Sequence, residues 1–325
     1  MEIGHRLQWI IIFAFISFFF PLGGSCKADD PIMVGTWKTP QTIQPYFYQD
    51  FITKRQPVEV RPFTNPGDQK NALLAGSLDF TGTTLVQAIL SASRGEPVVV
   101  VSSICMKCSA LVVGKKSSIV TPEDLKGKRI GYVPGTMHHV LLFDTLARAG
   151  LTQKDVHLIR VDFFDMVTAL SRGQIDAFLS GEPYPTMARL NGTGRILAYP
   201  YFGDSIGTIN AEMLTTRDMI RNYPDRIQEL VTAHARATEF LKAHPEDWLH
   251  RAQSFGYDDQ VLKSAVPNVE LSWNMDEAFI RHTKNLALRM KELGIIDKLP
   301  DIDALIDTRF VKAAQKSIQR DENPK

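Results

Sequence analysis

The sequence is short of cysteine (3 residues), of net charge (+1, from 37 Lys plus Arg against 36 Asp plus Glu) and of long apolar runs. A near-zero charge leaves no electrostatic footprint for DNA or RNA, so nucleic acid is not an expected partner. The longest apolar run, Trp9 to Phe20, is about a dozen residues, short of the roughly 20 that a spanning helix needs. Metalloprotease His-Glu-x-x-His, P-loop and dinucleotide glycine fingerprints are also missing. What is present is ordinary globular usage, with 44% hydrophobic and 22% charged residues in 325 positions, enough for one large or two medium α/β units.

Arg6, the apolar run, and then Pro21, Gly23, Gly24 and Ser25 before Cys26 follow the order of a secretory signal, so residues 1–28 read as a leader and the rest as exported. Two processing routes are open: cleavage before Cys26 with lipid on its thiol, as in a bacterial lipobox, or cleavage after Ala28. The leucine expected of a lipobox lies one residue too far upstream, at Leu22. With Cys26 lipidated or removed, Cys105 and Cys108 stay as a pair in an oxidising compartment, where a disulfide is the default reading. A soft-metal site using Met137, His138 and His139 is the alternative. Ser109 after Cys108 argues against c-type haem attachment.

Along the mature chain, short apolar strands alternate with helices. Ile32 to Trp37, Val58 to Phe63, Ser77 to Phe80, Val98 to Ser103 and Ala110 to Val113 read as strands, with a helix over 42–53. A second series of strands runs from Arg129 to Ala198. Alternation of this kind predicts mostly parallel, doubly wound sheets. The expected organisation is two lobes, 31–116 plus 209–325 and 119–206, joined by crossings at 116–119 and 206–208. The strand C-terminal ends of both lobes would face one hinged cleft, where ligands of open α/β sheets bind.

Candidate cleft residues follow from that parse. Thr81, Thr83 and Thr84 sit in a strand-to-helix turn around Gly82. Thr136 and Met137 open a helix whose free N–H groups favour an anionic group, unless Thr136 is a plain N-cap. Trp37 and Thr39 end the first strand, Trp37 serving either the ligand or the core. Glu182 is either a partner for an amine on the ligand or a helix cap; together with Asp162 in the cleft it favours an amino-bearing ligand over nitrate. Of His138 and His139, only one can point into the cleft from a helix, and a surface or capping role competes.

Three segments in order carry a resemblance: Thr121 to Gly131 (TPEDLKGKRIG), Met166 to Phe178 (MVTALSRGQIDAF) and Gly181-Glu182-Pro183-Tyr184, with Asn71 to Phe80 (NALLAGSLDF) upstream. They resemble the solute-binding proteins of the nitrate, sulfonate and taurine type, the SsuA/THI5-like or NMT1-like family. The resemblance implies a type II periplasmic-binding-protein fold and a small polar organic molecule or oxyanion held between the lobes. It further implies delivery to an ABC permease with its ATPase, a place in the periplasm or on the outer face of the cytoplasmic membrane, and neither cofactor nor catalytic metal. Two rivals share the fold. One is an envelope metal-handling or sensory protein. The other is a thiamine-pyrimidine synthase, which uses a run of adjacent cysteines absent here, so an enzyme is not expected.

Overall fold

The computed structural model describes residues 30–53 and 56–322; the leader, its Cys26 and both proposed cleavage points lie outside them. No helix among the described residues is long and apolar enough to cross a membrane.

Eleven strands form two mixed sheets. The first contains β1 (Ile32–Thr36), β2 (Val58–Pro62), β3 (Phe80–Thr84), β4 (Val98–Lys107), β10 (Ile209–Thr216) and β11 (Val269–Leu271), in the order β11-β4-β10-β3-β1-β2. The second contains β5 (Ser109–Gly114), β6 (Arg129–Tyr132), β7 (His157–Arg160), β8 (Ala177–Gly181) and β9 (Gly194–Ala198), in the order β7-β6-β8-β5-β9. β1 lies parallel to β2 and β3, and β6 parallel to β7 and β8. The strands through which the chain changes sheet run the other way: β10 is antiparallel to β3 and β4, and β5 is antiparallel to β8 and β9. The expectation of mostly parallel sheets therefore holds at the βαβ units and fails at the crossings.

The first crossing is displaced from its expected place. Ser109–Gly114 was assigned with residues 31–116, yet β5 pairs Leu111 with Leu179 and Val113 with Ala177 in the second sheet. The sheets separate at Lys107 and Cys108, which both take left-handed backbone conformations, φ 61° and 71°. Such conformations cost non-glycine residues about 1–2 kcal/mol each and persist only where neighbours hold them. Here Lys107 N donates to Thr208 O at 2.8 Å, Cys108 N to Asn268 O at 3.0 Å, and Asn210 Nδ2 to Lys107 O at 2.6 Å. A kink hidden between two apolar runs explains why β4 and β5 read as neighbours in one sheet.

Two further expectations change. The helix over 42–53 is instead a pair of 3-10 turns, Pro40–Thr42 and Gln44–Phe47, and a short α-helix Tyr48–Phe51. Thr81-Gly82-Thr83-Thr84 is the body of β3 rather than a turn after it, and all of its positions are buried.

Helices cover the sheets. Pro224–Ala243 seats against the first, where Arg226 Nη2 meets Asp79 Oδ2 at 2.6 Å with both side chains about nine-tenths buried. His234 on that helix bonds Ser103 O through Nε2 (2.7 Å) and Tyr48 Oη through Nδ1 (2.8 Å). A carbonyl only accepts, so Nε2 carries the proton and Tyr48 donates to Nδ1.

Candidate functional site

The C-terminal ends of the parallel strands converge on one cleft. Trp37, Thr39 and Gln41 follow β1, and Thr64 follows β2. His138 is the second residue of helix Met137–Arg148 after β6, Phe163 and Phe164 follow β7, Gly181 ends β8, and Tyr184 begins the next helix. With its mouth the cleft measures about 320 Å³, but its enclosed part is about 10 Å³, room for one water molecule. Admission of an organic ligand therefore requires the two sides to part.

Ring contacts close the cleft. Trp37 and Phe163 approach from opposite sheets with centroids 6.0 Å apart and planes tilted by 54°. Phe163 also meets His138 edge-on at 5.3 Å, and Phe164 meets Tyr184 edge-on at 5.7 Å. A hydrogen-bonded clasp spans the mouth: Tyr257 Oη donates to Lys38 O at 2.8 Å, leaving it to accept from Tyr184 Oη at 3.1 Å.

Several polar atoms in this lining have no hydrogen-bond partner: Trp37 Nε1, Gln41 Oε1 and, apart from the Cys108 thiol behind it, the ring nitrogens of His138. These side chains are only 6%, 6% and 3% exposed. Orphaned polar atoms cost about 1–3 kcal/mol each, so their gathering on these side chains marks a place where something else is meant to bond.

Behind His138 lies a buried polar cluster. A Cβ on Gly181 would come 3.0 Å from His138 Nε2 and 3.3 Å from Cys108 Sγ, so the floor of the cleft is the bare backbone of Gly181 over that pair. Asn210 Nδ2 donates to Cys108 Sγ at 3.1 Å. The hydrogen bond from Cys105, with help from His138 and against the effect of burial, brings the Cys108 thiol down to about 6, while Cys105 is pushed well up by the same bond and by burial. Both cysteines are free thiols, so the expected disulfide is not formed in this structure. Among the described residues no three His, Cys, Asp or Glu side chains gather as a metal site.

Of the anticipated site residues, the structure brings Trp37, Thr39 and His138 together in the lining, and the others fall elsewhere. Thr81 Oγ1 donates to Gly35 O and accepts from Gln69, a bond internal to the first sheet. Thr83 and Thr84 are fully buried in β3 without reaching the lining. Thr136 Oγ1 accepts from His139 N at 3.3 Å and donates to Val133 O at 2.8 Å, so it is an N-cap, and Met137 is buried in the core. Asp162 is exposed and outside the lining, one residue before the two phenylalanines that enter it.

Glu182 stands just behind the cleft. Its Oε1 accepts from Thr186 Oγ1 at 3.0 Å and from Asn268 Nδ2 at 2.8 Å, and its Oε2 from Thr186 N at 3.2 Å. This is the capping alternative, with a tie across to the first sheet added. Burial raises its carboxyl to about 7, opposed by those hydrogen bonds. His139 turns away into a separate groove of about 610 Å³ with Lys70, Gln87 and Arg94, and desolvation lowers its imidazole to about 4.

Sequence reasoning missed Gln41, Thr64, Phe163, Phe164, Gly181 and Tyr184. Phe163 and Phe164 adjoin the nominated Asp162, and Gly181 and Tyr184 flank the nominated Glu182, so position was legible where residue identity was not. Gln41 and Thr64 carry no local signal. One enzyme-like spacing is present in the chain, Gly203-Asp204-Ser205-Ile206-Gly207, which matches Gly-x-Ser-x-Gly. Ser205 lies on an exposed turn between β9 and β10, not on a strand-to-helix elbow, so the spacing lacks the context that makes it a nucleophile.

Two mixed α/β sheets facing one cleft at their strand C-terminal ends define the fold class of the periplasmic binding proteins. The chain belongs to the NMT1/THI5 like family, whose model matches residues 57–248. The alkanesulfonate-binding protein SsuA from Xanthomonas axonopodis pv. citri, bound to MOPS, superimposes with a TM-score of 0.76 at 20% identity, over 86% of this chain and all of that one. A Brucella abortus relative named as a binding protein is 29% identical over 217 residues, 65% of this chain and 64% of its own length, so the match spans just under two thirds of that relative. The 4-amino-5-hydroxymethyl-2-methylpyrimidine phosphate synthase of Schizosaccharomyces pombe is 29% identical over 150 residues, 43% of each chain.

Proposed function

We propose that this protein is the solute-binding component of an ABC importer. It captures a small molecule between its two lobes and delivers it to a membrane permease driven by an ATPase, without chemical change to the ligand. The observation that carries the reading is the pair of facing strand ends with orphaned polar atoms buried between them, a design that waits for a bonding partner. The relatives named as binding proteins, and SsuA with its bound MOPS, support it. In this reading residues 1–28 direct export and are removed. The mature protein works in the periplasm or on the outer face of the cytoplasmic membrane, tethered there if Cys26 carries lipid. The crossings at Lys107–Cys108 and between β9 and β10 form the hinge on which the lobes open.

The test is a thermal-shift screen against nitrate, sulfonates, amino acids, aromatic amides and divalent metals, followed by small-angle scattering with the best hit. A ligand at about 100 times its dissociation constant adds roughly 2.7 kcal/mol to a state that alone binds it. Stabilisation with a fall in the radius of gyration is the expected outcome. A hit that is turned over, or stabilisation by metal alone, refutes the reading.

A further inference from the structure

The name of the superimposable SsuA speaks of an alkanesulfonate, an anion. The cleft of this chain is built differently. Among the described residues no Lys or Arg lines it, and four of its nine lining residues, Trp37, Phe163, Phe164 and Tyr184, are aromatic. The nearby helix start that could have held an anion is turned on itself, because Thr136 caps the His139 N–H. Glu182 behind the floor has both oxygens committed to Thr186 and Asn268 and supplies no cation for a sulfonate. Enclosing an anion without a counter-charge or a full set of donors carries a large desolvation cost, whereas a flat neutral ring meets aromatic faces and loses little hydration.

The unpartnered atoms complete the description. Trp37 Nε1 is a donor and nothing else and Gln41 Oε1 is an acceptor, while the His138 imidazole is engaged on one side with the Cys108 thiol. We propose that the ligand of this cleft is an uncharged, flat aromatic molecule bearing a hydrogen-bond acceptor and a donor, of the aryl carboxamide kind. The ring inserts between Trp37 and Phe163 as the lobes part and close, its acceptor takes the Trp37 N–H, and its donor meets Gln41. Gly181 sets the depth: its backbone is not left-handed, but a methyl there comes 3.0 Å from His138 Nε2 and 3.3 Å from Cys108 Sγ, so alanine makes that pair give way and alters the floor. This inference rests on the binding-protein reading and narrows it.

The experiment is titration calorimetry of the full chain with benzamide and nicotinamide, and in parallel with methanesulfonate, taurine and nitrate. The amides are expected to bind saturably and to change tryptophan fluorescence, while the anions do not bind. Trp37→Phe keeps a ring and removes the donor, and should weaken amide binding roughly three- to tenfold. Gly181→Ala should weaken it at least as much, with a lower melting temperature of the unliganded protein because His138 and Cys108 must give way. Tighter binding of any of the three anions than of both amides overturns the ligand class and leaves the binding-protein reading standing. Amide binding unchanged in both variants places the ligand elsewhere and also overturns it. Silence from both sets overturns it too, and the wider screen then judges the binding-protein reading on its own.

Discussion

Glu182 provides a test in which sign and size both follow from its surroundings. Burial lifts its carboxyl from an ordinary 4.5 to about 7. The folded protein therefore holds a proton that the unfolded chain releases, and stability must fall as pH rises between those two values. The contribution is fully present below about 4.5, is lost through the interval and is flat above about 7. At about 1.4 kcal/mol per unit, a shift of roughly 2.5 units is about 3 kcal/mol. Glu182→Gln removes the titration and keeps the shape. Thr186 N–H and Asn268 Nδ2 donate to different oxygens, so the glutamine keeps its oxygen on the Thr186 N–H and its NH2 is served once the Asn268 amide turns to present its own oxygen. Urea unfolding of both proteins at pH 4.5, 5.5, 6.5 and 7.5 should show the variant gaining on the parent by about 3 kcal/mol across the series. A difference that stays constant with pH refutes the argument.

Glu212, fully buried in β10 with both carboxylate oxygens unpartnered, is pushed well above the ordinary carboxylate range by burial. Glu212→Gln should therefore gain on the parent from about pH 4.5 upward and still be gaining at the top of the same urea series. Asp79→Ala removes the carboxylate paired with the buried Arg226 guanidinium, leaving its bond to Pro31 O, and should cost about 3–5 kcal/mol in the same assay. Tyr257→Phe cuts the clasp between Tyr184 and Lys38 O at the mouth of the cleft. A loss of about 1 kcal/mol with faster ligand release in stopped-flow is expected, and release at the parental rate removes the clasp from the closing motion.

The two-sheet architecture was legible because βαβ units announce themselves. Short apolar strands such as Arg129–Tyr132, closed by glycine turns and followed by helices, leave few alternatives. The first crossing was not legible. Lys107 and Cys108 carry no turn signal, since neither is Gly, Asn or Asp, and their left-handed backbone is imposed by Thr208, Asn268 and Asn210 from far along the chain. β10 was hidden for a related reason: Asn210 and Glu212 interrupt its apolar pattern while every residue of the strand is buried. The cleft was half legible. Strand ends can be located from the pattern, which found Trp37, Thr39 and His138, but the direction of a side chain after a strand depends on one or two residues of register. Thr81, Thr83 and Thr84 illustrate this: β3 runs four residues further than its apolar part and draws those hydroxyls into the sheet.

Asn210 ties these threads together, because one buried amide holds both the crossing and the thiol behind the cleft. Its Nδ2 donates to Lys107 O and to Cys108 Sγ, and the side chain is 4% exposed. Replacement by alanine leaves the Lys107 carbonyl without that donor in a buried kink, which should cost about 1–3 kcal/mol. Loss of packing alone could give a similar figure, so stability does not decide the matter. The thiol does. A donor on Sγ favours the thiolate, so its removal should move the Cys108 titration upward from about 6. Following thiolate absorbance against pH in a Cys105→Ser background isolates Cys108, though that background also removes the neighbouring thiol donor, so both proteins must carry it. An upward shift in Asn210→Ala relative to Asn210 in the same background supports the proposed bond. An unchanged midpoint with lowered stability makes Asn210 a brace for the backbone alone.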